Sequence, residues 1–379
     1  MLGYGVYMNS PGLSNPFRPT VARIDLKALR ENFALAKELV GPKTLLLGVV
    51  KADAYGHGAV PVARTLESAG AVALGVATPE EGIELREAGL VSPILIFGGP
   101  FEASGEELRR HRLTPVLYEI EQVRRLEAGS QGELPVHLKI DTGMTRLGVL
   151  PAELPKMLEA LAAAPQLKLE GVLTHLAQAD ATSQGPTAEQ FARFAAAAAE
   201  LKRARPEAKI YHVALSAAIL EGKGPEYDWA RPGLMLYGAN PHPRLEAGRR
   251  LKPVMSFETR IVSLKTVPAG TAVSYGGTWT AARTSRIAIL PVGYADGYLR
   301  HLSNRGQVLV NGRRAPVAGR VCMDFTMIDV TDLPEAKLGD RVTLWGPELR
   351  AEEVAEWAGT ISYELFCAVG PRVPRVYEG

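Results

Sequence analysis

Short apolar runs recur along residues 44–215, separated by amphipathic segments rich in Ala, Glu and Arg, of which 186–204 is the longest. Continuous apolar runs that alternate with helical patterns are typical of parallel strands covered on both faces. The sequence therefore predicts a parallel sheet with helices between its strands. The predicted strands are Leu45–Val50, Val72–Ala77, Ile94–Phe97, Thr114–Leu117, Val136–Ile140, Leu169–Leu173 and Ile210–Ala214.

An eighth strand is needed to close this sheet into a barrel, and two placements compete for it. Leu234–Tyr237 is the more apolar run. We prefer Tyr227–Arg231, because Pro232 suits the first position of a helix and would start a short turn there. That choice puts Arg231 at the C-terminal end of a strand and Gly233 at a helix N-terminus. Eight βα units in about 230 residues predict a (β/α)8 barrel, and the absence of a Gly-rich dinucleotide fingerprint disfavours an open doubly wound sheet.

The pattern changes on both sides of these units. Ile24–Leu39 has apolar side chains at helical spacing, with Asp25 placed as an N-cap. After residue 253 the period shifts toward two, which predicts a mostly β region with Asn311-Gly312 as a hairpin turn. Its predicted elements are strands at Val254–Val267, Arg286–Pro291, Gln307–Val310, Ala315–Val330 and Leu338–Trp345, and a helix at Ala351–Trp357.

The predicted fold class is thus α/β, a (β/α)8 TIM-type barrel followed by a mostly β C-terminal domain. We expect the barrel to cover 18–248 and the β domain to cover 249–379. Residues 1–17 form an N-terminal extension, for which packing on the β domain is one option.

Composition narrows the classes of function. The formal charge is +2, from 43 basic and 41 acidic residues, and no run of like charges stands out, so neither nucleic acid nor a membrane is expected as a partner. No apolar run approaches the roughly 18 residues of a membrane span, and residues 1–16 do not read as a signal peptide. The two cysteines make neither a disulfide framework nor a zinc site, and no metal is expected. We therefore expect a cytoplasmic protein.

Polar side chains follow the predicted barrel strands where each strand ends, which is where barrels of this type place their active sites. Each alone has a plainer interpretation, such as a core histidine, a surface ion pair or a helix cap, but their shared position favours a single site. So many cations favour an anionic ligand, and a phosphate would fit the Gly233 amide at a helix N-terminus. The side chains are Lys51, Lys139, Arg146, His175, Ser216 and Arg231.

Lys51 ends the first apolar run and is followed closely by Gly56-His57-Gly58. A lysine at the end of a buried strand is partly desolvated, which favours the neutral and nucleophilic amine. Glycines on either side of a histidine let the backbone approach a bulky ligand. The alternative is a strand-end lysine that simply reaches solvent, as most lysines do.

The segment Val49–Gly58 resembles the pyridoxal-phosphate lysine motif of alanine racemases, which are fold-type III pyridoxal-phosphate-dependent enzymes. Further segments resemble motifs of the same family in the same order, and the resemblance covers nearly the whole chain from about residue 20 onward. These segments are His137–Gly148, Thr174-His175, Ser216–Ala218, Arg231–Gly233, Val273–Gly276, Val292–Gly297, Gly319–Asp324, Ile361–Glu364 and Arg372–Arg375.

The resemblance implies an isomerase that interconverts L-alanine and D-alanine and supplies D-alanine for peptidoglycan, with pyridoxal 5'-phosphate as cofactor. It makes Lys51 the Schiff-base residue and one catalytic base, and Tyr275 the second base. The implied cofactor-binding residues, besides Lys51, are Tyr55, Arg146, His175, Ser216, Arg231, Gly233, Leu234 and Tyr363. The implied substrate-binding residues are Arg146, Met323 and Tyr294, supported by Asp324 and by Lys139, whose counterpart is carbamylated in many members of the family.

Racemisation explains the need for two bases. An α-proton leaves one face of the substrate and returns to the other, while the cofactor delocalises the electrons left behind. In the family the two bases come from different subunits, so the resemblance implies a homodimer with active sites shared between chains. Arg231 lacks an acceptor atom, and its implied place facing the pyridine nitrogen keeps that nitrogen unprotonated, which limits side reactions.

Two positions depart from the family pattern. Leu215 precedes the serine where the family usually has Asn, so one hydrogen bond on the cofactor side is expected to be missing; Phe325 stands where a polar residue is expected. Two alternatives remain at this point. One is a racemase for another small amino acid, such as serine. The other is a non-catalytic cofactor-binding protein that shares only the barrel, against which Tyr275, Met323 and Tyr363 argue.

Overall fold

The computed structural model describes residues 17–128, 132–179 and 185–379. Nearly all of the predicted N-terminal extension, 1–17, lies outside the described residues. The described chain divides into two compact units, one of residues 17–28, 55–57 and 252–379 and the other of residues 29–54 and 58–251. The boundaries 18–248 and 249–379 stay a prediction. Among the described residues, none of the helices combines the length and the apolar character needed to cross a membrane.

The first described elements are strand β1 (Val21–Asp25) and helix α1 (Leu26–Val40). The Ala28 N–H donates to Asp25 Oδ1 over 2.9 Å, which confirms the predicted N-cap. An N-cap at Asp25 predicts a helix that begins at Leu26, as α1 does, whereas strand β1 before it was not predicted and pairs with strands from the C-terminal part of the chain. Those pairing partners are more than 200 residues away, so the local sequence pattern does not predict the strand.

Eight parallel strands close into a barrel, which confirms the predicted fold class. The preferred placement of the eighth strand is also confirmed, whereas the competing run Leu234–Tyr237 forms a 3₁₀ helix. The last strand pairs with the first and thereby closes the barrel. The strands are β2 (Leu45–Val49), β3 (Ala73–Val76), β4 (Ile94–Ile96), β5 (Leu113–Leu117), β6 (Leu134–Lys139), β7 (Leu167–Leu173), β8 (Ile210–Leu215) and β9 (Trp229–Arg231).

Helices alternate with these strands, as the amphipathic segments predict. Two of them start with capping boxes that the sequence shows as Ser/Thr-x-x-Glu, at Thr78–Glu81 and Ser104–Glu107. Leu47, Leu74 and Leu138 are fully buried, so the barrel interior is a packed core. The helices are α2 (Lys51–Gly56), α3 (Ala59–Ser68), α4 (Pro79–Glu87), α5 (Gly105–Arg110), α6 (Ile120–Glu127), α7 (Leu154–Ala162), α8 (Gly185–Ala204) and α9 (Ser216–Leu220).

The other unit is mostly β, as predicted. Its elements are β10 (Met255–Arg260), β11 (Ser263–Val267), β12 (Ala272–Val273), β13 (Trp279–Thr280), β14 (Ser285–Leu290), β15 (Gln307–Val310), β16 (Arg313–Pro316), β17 (Thr326–Asp329), β18 (Arg341–Trp345), α10 (Ala351–Ala358), α11 (Ser362–Ala368) and β19 (Arg375–Glu378). Six of the strands, with β1 among them, form a sheet of the order β16-β15-β18-β10-β1-β19, and the others form a three-stranded sheet β11-β14-β17 and a two-stranded ribbon β12-β13.

Two long predicted strands are wrong in extent. Val254–Val267 divides into β10 and β11, which belong to different sheets, and Ala315–Val330 contains only the end of β16 and, after a loop, β17. The predicted hairpin turn is confirmed: Asn311 and Gly312 have φ values of 50° and 83° and join the antiparallel strands β15 and β16. Both residues sit in the left-handed region that a type I′ turn requires.

Candidate active site

The polar side chains predicted for one site lie at or just beyond the carboxyl ends of the barrel strands. Lys139 and Arg231 are the last residues of β6 and β9, and Ser216 directly follows β8. Lys51 is the first residue of α2, and Val50 alone separates it from the end of β2. The structure brings the charged members together, because Arg146, Arg231 and Lys51 all lie close enough to lower the pKa of Lys139.

Arg231 is held inside the barrel by backbone carbonyl groups. Its Nη1 donates to His212 O over 2.7 Å, and its Nη2 donates to Thr174 O over 2.6 Å and to Val213 O over 3.0 Å. The side chain is 4% exposed, and burial lowers its pKa to about 9, so the guanidinium stays charged at neutral pH. These bonds use three of five N–H donors and leave two for another acceptor.

Lys139 is a buried cation among other cations. Burial first, and then Arg146 and Arg231, lower the pKa of its amine from 10.5 to about 8, against the opposing effect of Asp141. The amine is therefore neutral in roughly a tenth of molecules at pH 7. A neutral lysine amine is a nucleophile, and its neighbours favour any modification that replaces its charge with a negative one.

The loop that carries Arg146 is shaped by Asp141. One carboxylate oxygen, Oδ1, accepts hydrogen bonds from the N–H groups of Gly143 (2.8 Å), Met144 (2.9 Å) and Thr145 (3.1 Å). Burial alone would raise the pKa of Asp141, but these backbone donors lower it, so the carboxylate stays ionised. Arg146 itself is exposed and thus available to a ligand's carboxylate.

His175 follows β7 and is neutral. Burial first, and then the cations Arg231, Lys139, Arg146 and Lys51, lower its pKa well below 6.5. Gln190 of α8 fixes this stretch of backbone, because its Nε2 donates to His175 O over 3.1 Å and its Oε1 accepts from the Ala177 N–H over 2.8 Å. Gln190 was not among the predicted site residues, because its sequence carries no signal beyond its place on an amphipathic helix.

Ser216 and Gly233 meet at the mouth of the barrel. Ser216 Oγ accepts hydrogen bonds from the N–H groups of Gly233 (2.9 Å) and Met235 (3.3 Å), which leaves its hydroxyl proton for an anion. The expected helix start at Pro232 is wrong: the 3₁₀ helix begins at Leu234, with Gly233 before it. Leu215 precedes α9 and contributes no side-chain cap, and the missing hydrogen bond on the cofactor side stays a prediction.

A left-handed helical turn directly follows Lys51. Four residues other than glycine have positive φ there, at 53° for Ala52, 53° for Asp53, 52° for Ala54 and 54° for Tyr55. This conformation costs about 1–2 kcal/mol per residue, so the turn stores roughly 4–8 kcal/mol. It persists only because its surroundings hold it: the Ala52 N–H donates to Glu81 Oε1 over 2.7 Å, and Asp53 Oδ1 accepts from the Ala59 N–H over 2.6 Å.

Two histidines inside the barrel form a pair that the sequence analysis missed. His137 Nδ1 and His212 Nε2 are 3.0 Å apart, and both rings are buried. Burial and then Arg231 lower the pKa of both, that of His137 to about 3, so the pair is neutral. Their positions within strongly apolar strands were a visible signal, because a histidine there must find a buried partner.

Tyr55 and Tyr363 belong to the mostly β unit. Their ring centroids are 5.8 Å apart, and Tyr55 is 7% exposed. Burial raises the pKa of the Tyr55 phenol far above its usual value, so its hydroxyl keeps its proton and can donate to an anion. Arg375 Nε donates to Gly56 O over 3.1 Å beside them.

The remaining predicted residues form a second group in the mostly β unit. Tyr275, Met323 and Tyr294 are 72%, 52% and 41% exposed. Hydrogen bonds connect their segments, since the Ala295 N–H donates to Met323 O over 3.1 Å and the Ser274 side-chain Oγ donates to Arg320 O over 2.7 Å. Asp324 accepts from Arg372 Nη2 over 2.7 Å. These three large side chains are thus exposed in segments that hydrogen bonds hold together.

The residues of the chain match two family models. Residues 24–241 match the model described as alanine racemase, N-terminal domain, and residues 254–377 match the model described as alanine racemase, C-terminal domain. Together these models span both the barrel and the β sheets.

Whole-length relatives carry the same description. The alanine racemase of Halothermothrix orenii is 47% identical over 368 residues, which cover 95% of this chain and 97% of that protein; that of Geobacter sulfurreducens is 45% identical, covering 95% and 97%. Among solved structures, the alanine racemase of D-cycloserine-producing Streptomyces lavendulae superposes with a TM-score of 0.90 at 36% identity, covering 96% of this chain and 98% of that one. That of Bacillus anthracis with bound L-Ala-P gives 0.89 at 36% identity, covering 97% and 96%.

Proposed function

The chain belongs to the alanine racemase family, and from that premise we propose that it interconverts L-alanine and D-alanine by a pyridoxal-phosphate-dependent mechanism with two bases, Lys51 and Tyr275. The observation that carries the proposal is the convergence of Lys51, Lys139, Arg146 and Arg231 at one end of a parallel barrel. Such a cationic cluster favours an anionic ligand.

The barrel-end residues fit pyridoxal 5'-phosphate by their donor chemistry. The Ser216 hydroxyl, the backbone at Gly233 and Leu234, and the protonated Tyr55 phenol would hold its phosphate. His175 and Tyr363 would complete the cofactor pocket. When bound, the cofactor supplies an electron sink that delocalises the electron pair left by the departing α-proton.

Arg231 would face the ring nitrogen of the cofactor. Its unused N–H donors suit an acceptor nitrogen, and three carbonyl groups keep the guanidinium in place. Because an arginine does not give up its proton at neutral pH, the nitrogen receives a hydrogen bond rather than a charge. The electron sink is then weaker than with an acidic partner, which favours return of the proton over side reactions.

Lys51 and Tyr275 would be the two acid–base catalysts. The Lys51 Nζ takes or returns the α-proton on one face of the substrate, and the Tyr275 hydroxyl does so on the other. Arg146 and the backbone N–H of Met323 would hold the substrate carboxylate, with Tyr294 beside it and Asp324 as support. Lys139, as a carbamate, would orient Arg146 by opposite charge.

We further propose a homodimer in which the exposed group around Tyr275 and Met323 completes the barrel site of the partner. Its support is that these catalytic candidates are 72% and 52% exposed, which is unusual for residues that must work away from water. A cytoplasmic location and a role in supplying D-alanine for peptidoglycan follow from the family and stay predictions.

The test is conversion of purified protein with either isomer. We expect both L-alanine and D-alanine to reach an equal mixture, with activity lost in Lys51→Ala and Tyr275→Phe but kept in Lys156→Ala, an exposed lysine of α7. Protein that binds the cofactor and converts neither isomer would contradict the proposal.

Shared sites are tested by mixing the two inactive variants. Half of randomly reassorted dimers would carry one intact site of two, so about a quarter of the wild-type activity should return. No return of activity under conditions where subunits exchange would refute the shared site.

A further inference from the structure

Glu81 of α4 connects two segments through its two carboxylate oxygens. Oε2 accepts from the N–H groups of Ala77 (2.6 Å) and Thr78 (3.4 Å), as the acidic residue of a capping box does. Oε1 instead accepts from the Ala52 N–H over 2.7 Å, across 29 positions of sequence. The capping box accounts for the first oxygen and leaves the second unexplained.

The second oxygen reaches the most strained backbone among the described residues of the barrel unit. Ala52 opens the run of positive φ that directly follows Lys51, and alanine does not adopt this conformation without external support. Asp53 braces the other side of the run, because its Oδ1 accepts from the Ala59 N–H and its carbonyl oxygen accepts from the Gly58 N–H. Glu81 is thus the side chain that holds the turn at the residue next to Lys51.

We propose that Glu81 is a positioning residue for Lys51. Its carboxylate fixes the left-handed turn that begins at Ala52 and so sets the direction in which the Lys51 side chain leaves the backbone. The inference rests on the proposed role of Lys51 in catalysis. Glu81 does not touch the reacting atoms and acts only through the backbone.

The first variant to test is Glu81→Gln in the cofactor-loaded protein. A glutamine has one acceptor oxygen, so it cannot serve both the α4 cap and the Ala52 N–H. We expect kcat for L-alanine to fall about tenfold while KM stays within about twofold, because the base is misaligned and substrate binding is not. Amide hydrogen exchange in the peptide that spans 51–58 should rise, with or without cofactor.

Glu80→Gln is the matched control. Glu80 is exposed in the first turn of the same helix, and the change removes the same charge from the same helix end. It should leave kcat and the exchange of 51–58 unchanged. If Glu81→Gln behaves like Glu80→Gln, the inference is wrong.

A rescue experiment separates positioning from helix capping. Glycine adopts φ near +53° without strain, so Ala52→Gly should restore much of kcat in the Glu81→Gln background. If Glu81→Gln lowers kcat and Ala52→Gly restores nothing, Glu81 matters only as the cap of α4, and the inference is overturned.

Ala52→Val provides a route that leaves Glu81 and α4 intact, in case Glu81→Gln does not fold. A β-branched residue is poorly tolerated at positive φ, and the exposed Ala52 side chain leaves room for it. This variant should reproduce the loss of kcat; normal kcat would overturn the inference. Wild-type protein without racemase activity would refute the proposed function instead, while the exchange measurements would still test the link between Glu81 and the turn.

Discussion

Lys139 is expected to react with carbon dioxide at ordinary pH, and the structure gives the size of the effect. Burial, reinforced by Arg146 and Arg231, lowers the pKa of its amine from 10.5 to about 8. At pH 7 the neutral fraction rises from about 0.03% for an ordinary lysine to about 10%, a gain of roughly 300-fold. Only the neutral amine attacks carbon dioxide; its nitrogen bonds the carbon and releases one proton, so a carbamate replaces the amine.

The sign of the pH dependence follows from this chemistry. Lowering the pH protonates the amine and removes the nucleophile, so carbamate occupancy should fall as the pH drops from 8 to 6. The carbamate is also favoured by its surroundings, because a negative group replaces a positive one beside two arginines. The lowered pKa of the amine and the positive charges around it therefore both favour the carbamate.

The assay is carbon-13 nuclear magnetic resonance of the protein in labelled bicarbonate. We expect one carbamate signal per chain at pH 8, weaker at pH 6 and absent in Lys139→Gln. Lys156, which is exposed, should give no signal of its own. A signal that survives Lys139→Gln, or none at all at pH 8, would refute the reasoning.

Three further predictions concern the barrel interior. Gly171→Ala places a Cβ 2.3 Å from His137 Cε1, so it should overpack the barrel and break the imidazole pair. Urea unfolding should show a loss of about 2–4 kcal/mol in the free energy of unfolding. The control Gly185→Ala, with open space around its Cβ, should change that free energy by less than about 0.5 kcal/mol. Ser216→Ala leaves two buried N–H groups without their acceptor, so it should lower the free energy of unfolding by about 2–4 kcal/mol. It should also weaken cofactor affinity, which a binding titration measures. Unchanged stability and affinity would contradict the described bonds. The folded-state pKa of His137, about 3, lies below the unfolded value of about 6.5, so its contribution to folding stability is full above pH 6.5. That contribution is lost as the pH falls toward 3, at up to about 1.4 kcal/mol per pH unit. The free energy of unfolding of a His137→Asn variant should depend less steeply on pH over this range.

The barrel could be predicted because its strands have a local signature. A parallel strand buried on both faces is a continuous apolar run, and an amphipathic helix follows it. The eighth strand was placed correctly at its C-terminal end, Arg231, because Pro232 suits the first position of a helix and so indicates that the strand ends before it. The same proline misplaced the next helix, because a 3₁₀ turn of four residues has too few positions to show a period.

The mostly β unit was predicted less well, because its pairings are remote. β1 lies between β10 and β19, which are over 200 residues away, and the sequence pattern did not predict a strand there. The division of Val254–Val267 between two sheets is likewise set by the partners of each half.

By itself, the sequence determined where the barrel strands end and hence which side chains share one rim, since that order depends on neighbouring residues and on the common direction of parallel strands. Only the tertiary structure decided the backbone conformation and the ionisation state of those residues. Ala52, Ala54 and Tyr55 do not favour a left-handed turn, and hydrogen bonds with Glu81 and Ala59 hold it in place. The neutral His137–His212 pair joins residues 75 positions apart, and the depressed pKa of Lys139 comes from burial and from the positive charges of Arg146 and Arg231. Conformational strain and ionisation depend on every group nearby in space, and proximity in space is what folding adds to a sequence.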